Sequence, residues 1–149
     1  MSLVFVDTSA LIKRYVAEPG SLWVRSWIVP AAGNQIVIAQ LAITETLATL
    51  ARLRRGAQLS AAGFARLRAD FLAHTDQEYL VNQLDNRILA AANELVLRHP
   101  LRTLDALHLA AALDTASVFG TPPLFITADR QLLAIATAEG FPTDDPNSH

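Results

Sequence analysis

Four short apolar runs, partly β-branched, occur at residues 3–6, 36–39, 79–81 and 124–127, and each is followed by a longer stretch with helical spacing. Runs of this kind, without strict alternation of apolar and polar residues, are what parallel strands buried on both faces produce. The intervening periodicity predicts helices at residues 8–17, 21–28, 42–55, 60–74, 86–98, 103–117 and 130–139. Gly20, Gly56, Pro100 and the pair Pro122 and Pro123 fall where helices should stop. The alternation predicts an α/β fold, helices packed on a parallel sheet. The polar tail from Pro142 to His149 is expected to add a last short strand that frays. No repeat, low-complexity segment or linker interrupts the pattern, so a single domain over residues 1–149 is expected.

Composition narrows the chemistry. A chain of 149 residues, 52% of them hydrophobic, is long enough to bury a core. There is no cysteine, which excludes disulfides, thiolate zinc sites and thiol nucleophiles. Any metal must be held by oxygen or imidazole. No secretory leader pattern precedes Asp7 and no apolar run reaches the roughly 18 residues of a membrane span, so a soluble, cytoplasmic protein is expected.

The formal net charge of −2 does not announce a nucleic-acid binder. Its distribution is less even. Arg52, Arg54, Arg55, Arg66 and Arg68 follow one another with no acid among them, a pattern that suits a solvated helix surface or a face turned toward phosphate.

Four acids stand out by position. In an open parallel sheet, ligands bind beyond the carboxyl ends of the strands, where loops and helix N-termini converge. Asp7 directly follows the first apolar run, in FVDTSALIKRY, and Asp129 follows the last, in FITADRQLLAIA. Glu45 falls in the first turns of the helix after the second run, in ITETLATLAR. Asp105 lies in LRTLDALHLAAAL, a helix apolar around its circumference, where an ionised carboxylate costs several kcal/mol unless something positive compensates it. Singly, each acid has a structural alternative: Asp7 and Asp129 as helix caps, Glu45 as a solvated or dipole-complementing acid, Asp105 as a paired core acid. Gathered at one sheet edge they would repel one another, and a divalent cation relieves that. An all-oxygen cluster points to Mg²⁺ or Mn²⁺. Thr8, Ser9 and Thr127 could hydrogen-bond the carboxylates or the ion's waters, and could equally be turn hydroxyls. His108, three residues after Asp105, reads as a packed or hydrogen-bonded histidine before it reads as a ligand.

The motifs FVDTSALIKRY, ITETLATLAR, LRTLDALHLAAAL and FITADRQLLAIA, in this order, resemble those of the PIN-domain ribonucleases, and in particular the small VapC toxins of bacterial and archaeal toxin–antitoxin systems. The resemblance runs over almost the whole chain. It implies a three-layer α/β/α sandwich with a short parallel sheet and an acidic Mg²⁺ site, whose acids fall on Asp7, Glu45, Asp105 and Asp129. Thr8 and Ser9 occupy the usual hydroxyl positions after the first acid. The resemblance further implies an endoribonuclease acting on structured RNA such as tRNA or rRNA, a homodimer, and inhibition by a VapB-like antitoxin whose C-terminal segment fills the acidic groove.

The expected chemistry is metal-assisted phosphodiester hydrolysis, with Asp7, Asp105 and Asp129 as principal ligands and Glu45 as a ligand or a water-positioning base. Arg52, Arg55 and Arg130 are candidate RNA contacts. Trp23 and Trp27 share a helix face and suit either the core or an interface. Other readings meet obstacles. An aspartate-nucleophile phosphatase needs a second aspartate where Ser9 stands; a receiver domain needs a late lysine, and the only one is Lys13; a Rossmann unit needs a glycine-rich turn, which DTSAL lacks. The rival from another class is a non-catalytic docking protein of the same scaffold, with the acidic groove as its binding site.

Overall fold

The computed structural model describes all residues 1–149. The four apolar runs become strands β1 (Leu3–Val6), β2 (Gln35–Ala39), β3 (Tyr79–Asn82) and β4 (Leu124–Ile126), and the tail supplies a two-residue β5 (Thr143–Asp144). The helices are α1 (Thr8–Leu11), α2 (Ser21–Ile28), α3 (Leu41–Arg55), α4 (Ala61–Gln77), α5 (Asn86–Arg98), α6 (Thr103–Phe119) and α7 (Arg130–Ala138). The strands pair in the order β3-β2-β1-β4-β5, every pair parallel. Chain order therefore reverses at β1: β2 and β3 are added on one side of it and β4 and β5 on the other. That reversal opens a crevice between the carboxyl ends of β1 and β4.

Because successive strand residues face opposite sides, β1 contributes to two cores. Val4 and Val6, with Ile36, Ile38 and Ile126, pack under α1 to α4. Phe5, with Val37 and Phe125, packs under α5 to α7, its ring stacked on Phe125 at a centroid distance of 5.5 Å. The result is the expected three-layer α/β/α sandwich. α6 is buried without a break from Ala106 to Ala112, as its all-round apolar character requires.

Two segments depart from the sequence reading. The first helix, expected over residues 8–17, is α-helical only to Leu11 and tightens into a 3₁₀ turn at Ile12–Arg14. Tertiary bonds hold it there: Arg14 Nη1 donates to Glu78 Oε2 and to Tyr79 Oη, both at 2.7 Å, while the Tyr15 hydroxyl lies 2.6 Å from Tyr79 Oη and 2.9 Å from His74 Nδ1. The tail is also tied down. Pro146 is buried, and His149 stacks on Trp23 at 4.0 Å. Gly20 permits this closure: it sits at φ 85°, and a Cβ there would lie 2.3 Å from the Pro146 carbonyl oxygen. Trp23 and Trp27 are half-buried and meet edge to face at 5.5 Å, both packed against the core under α1 to α4.

Candidate functional site

The crevice at the reversal is where the acids meet. Asp7 continues the β1–β4 ladder by one bond, its N–H donating to Ile126 O at 3.0 Å, so its backbone is held by the sheet itself. It is only 5% exposed. Asp7 Oδ2 accepts from Ser9 Oγ (2.6 Å) and Thr127 Oγ1 (2.9 Å), with the Ser9 N–H at 3.4 Å. These hydroxyls also accept from the β4 end: Ala128 N–H donates to Ser9 Oγ (2.9 Å) and Asp129 N–H to Thr127 Oγ1 (3.1 Å). A small polar lattice thus couples the two strand ends. Asp7 caps a helix and lines the cleft at once, and so does Asp129, whose Oδ1 accepts from the Leu132 N–H at 3.0 Å.

Glu45 enters from the second turn of α3. Its Oε1 accepts from Thr8 Oγ1 (2.8 Å) and from His108 Nε2 (2.6 Å). Burial alone would raise the Glu45 carboxyl, but the hydrogen bond and charge of His108, with Thr8, hold it below its ordinary value. His108 is 1% exposed and also lies 3.5 Å from Asp7 Oδ1. Burial opposes its protonation; Glu45, Asp7 and Asp105 outweigh that and raise its pKa. With Nε2 committed to Glu45 and Nδ1 buried without a partner, His108 is the hydrogen-bonded histidine expected from sequence.

Asp105 projects from the first turn of α6. Burial and then the charges of Asp7 and Asp129 push its carboxyl up, against Arg102 and His108. The positive group that its burial demanded is Arg102, whose Nε lies 3.5 Å from Asp105 Oδ2 and whose Nη2 lies 3.7 Å from Asp129 Oδ2. Arg102 was missed by the sequence reading. The available signal was its spacing of three residues before Asp105 at a helix start.

All four acids line one cleft of ≈ 370 Å³, together with Thr8, Ser9, Arg52 and Arg102. Thr127 stands behind it, fully buried. Of the candidate RNA contacts, Arg52 lines the cleft, while Arg55 and Arg130 are exposed outside its lining. No three acids or histidines stand ready as an ion cage. The reason is local: one oxygen each of Asp7, Glu45 and Asp129 is engaged by the protein, and Arg102 spans Asp105 and Asp129. Asp7 Oδ1, Glu45 Oε2, Asp129 Oδ2 and both oxygens of Asp105 accept no hydrogen bond. That all-oxygen donor set fits a hard divalent cation.

Comparison with known proteins bears on the family and the fold. The sequence profile of the PIN domain matches residues 4–138. The chain is 28% identical over 148 residues to ribonuclease VapC47 of Mycobacterium tuberculosis (strain CDC 1551 / Oshkosh), covering 98% of each protein. Among solved structures, a toxin–antitoxin complex from Klebsiella pneumoniae superposes with a TM-score of 0.62 at 16% identity, over 96% of this chain and 97% of that one. Mycobacterium tuberculosis VapC20, a sarcin–ricin loop cleaving toxin, superposes with a TM-score of 0.62 at 18% identity, over 93% and 95% of the two chains. At these identities the superpositions establish the fold.

Proposed function

The chain belongs to the PIN-domain family, and from that premise we propose that it is a divalent-metal-dependent endoribonuclease, the toxin of a VapBC-type toxin–antitoxin pair. The observation that carries this reading is the convergence of Asp7, Glu45, Asp105 and Asp129, from four elements distant in sequence, on one cleft at the sheet's reversal point. Similarity to a curated ribonuclease over nearly the whole of both chains supports it.

In this reading Asp7, Asp105 and Asp129 would hold Mg²⁺, for which Mn²⁺ can substitute, through oxygens that accept no hydrogen bond from the protein. When bound, the ion supplies an acidified water and neutralises charge on the phosphoryl oxygens. The chain's own groups do the rest. Ser9 and Thr127 fix the rotamer of Asp7 by donating to Oδ2, which leaves Oδ1 without a hydrogen-bond donor. His108 and Thr8 hold Glu45 by Oε1, so that Oε2 is free to bind the ion or orient the attacking water. Arg52, at the cleft wall, faces the incoming phosphate, and Arg55 and Arg130 extend the contact outward.

The substrate class is structured RNA such as tRNA or rRNA. The partner is a VapB-like antitoxin, whose arginine would form a bidentate pair with the acids of the cleft, and the working form is a homodimer. The reading is of a cytoplasmic protein, and no helix is long and apolar enough to cross a membrane.

The test is cleavage of total bacterial RNA by the purified protein with Mg²⁺, with Mn²⁺ and with EDTA, alongside Asp7→Asn and Asp105→Asn. Discrete cuts with 5′-phosphate ends that need metal and vanish in both variants are expected. Metal binding without cleavage of any RNA would instead favour a docking role for the acidic groove.

A further inference from the structure

Arg102 is the only arginine or lysine within 4.0 Å of any of the four acids, and it reaches two of them. It does so loosely. Neither separation, 3.5 or 3.7 Å, is a hydrogen bond, and the side chain is 84% exposed. The guanidinium therefore compensates Asp105 and Asp129 without desolvation on its own side, and little holds it there beyond the charge of the acids. An ion bound to those two carboxylates would repel it. Once released, it would still stand at the wall of the cleft, which Arg52 lines as well. Nothing in its local structure requires this position: it precedes α6 without a side-chain capping bond.

We propose that Arg102 is a built-in competitor for the divalent cation: its guanidinium spans Asp105 and Asp129 until an ion takes them, and it then turns to the substrate phosphate. This rests on the reading of the cleft as a metal-dependent nuclease site. The contact offsets part of the charge of Asp105 and Asp129 and so opposes the cation, which couples cation and RNA binding. Arg102 yields to the metal and is then available to the phosphate.

The experiment is calorimetric titration of Mn²⁺ into the whole protein and into Arg102→Gln and Arg102→Lys, at low salt and at 0.5 M salt, with cooperative thermal melting confirming that each variant folds. Arg102→Gln should bind Mn²⁺ roughly threefold to tenfold more tightly at low salt, with the gain shrinking at high salt, and Arg102→Lys should retain most of the competition. At saturating Mg²⁺, Arg102→Gln should raise KM for RNA while kcat changes little. Equal or weaker Mn²⁺ affinity in Arg102→Gln overturns the competition, and an unchanged KM overturns the transfer to phosphate. Absence of Mn²⁺ binding in every protein removes the metal reading and this inference together, whereas equal binding in all three removes the inference alone.

Discussion

Thr127 Oγ1 donates to Asp7 Oδ2 over 2.9 Å, joining the ends of β1 and β4 across 120 positions of sequence. The hydroxyl has no exposure, so no water can replace it. Thr127→Val keeps the shape and deletes the donor. Bonds to charged groups are worth about 1.5–3 kcal/mol, and a loss of that size is expected in urea unfolding at pH 7. A change below about 0.5 kcal/mol would mean that Ser9 alone suffices to hold Asp7.

His108 does for Glu45 what Thr127 does for Asp7. His108→Leu removes the donor at 2.6 Å and leaves Glu45 with Thr8. Loss of a partner that orients a ligand typically costs about 10–100-fold in metal affinity or activity, and that range is expected for both Mn²⁺ binding and kcat. His108→Gln, which can still present an N–H, should recover part of it. Full Mn²⁺ affinity in His108→Leu would reduce the histidine to a packing role.

Arg52 offers a quantitative check on the RNA face. If it meets one phosphate, Arg52→Ala should lower the slope of log affinity against log salt by about 0.7–0.9, the range per contact from single strand to duplex. Binding of catalytically dead Asp7→Asn protein to RNA at several salt concentrations, with and without the second substitution, measures this directly. An unaltered slope would return Arg52 to the solvated surface.

His74 links stability to pH away from the cleft. Burial and then the charge of Arg14 lower its pKa from 6.5, while Glu78 and Asp70 pull the other way. The Tyr15 and Tyr79 hydroxyls complete its surroundings; burial raises the pKa of both. In the folded state His74 thus binds its proton less readily than in the unfolded chain. Its contribution is complete above the unfolded value near 6.5 and is lost as pH falls through the lower folded value. As pH falls below about 6.5, the melting temperature of the native chain should fall relative to that of His74→Gln. An equal slope in the two proteins would assign the acid sensitivity to other groups.

Much of the architecture was readable along the chain because the signals that set it are local. Leu3–Val6 is too short and too apolar for a surface helix, and Ala106 to Ala112 admits no solvent-facing side, so a buried parallel strand and a buried helix follow from pattern alone. The first helix was overextended for the opposite reason. Its break after Leu11 depends on Glu78 and Tyr79, more than sixty residues away, which no local propensity encodes.

The sequence by itself also marked out the candidate site: four acids at strand ends or helix starts and no cysteine, which leaves oxygen or imidazole as the donors for any ion. Only the tertiary structure decided how those acids are held. The reversal of strand order at β1 sets Asp7 beside Asp129, the burial of α6 carries His108 between Glu45 and Asp7, and the start of α6 lays Arg102 across Asp105 and Asp129. Residue type and periodicity are properties of neighbours along the chain. Which charges share a cleft, and so which of them lose or keep their protons, depends on distances that only the packed fold sets.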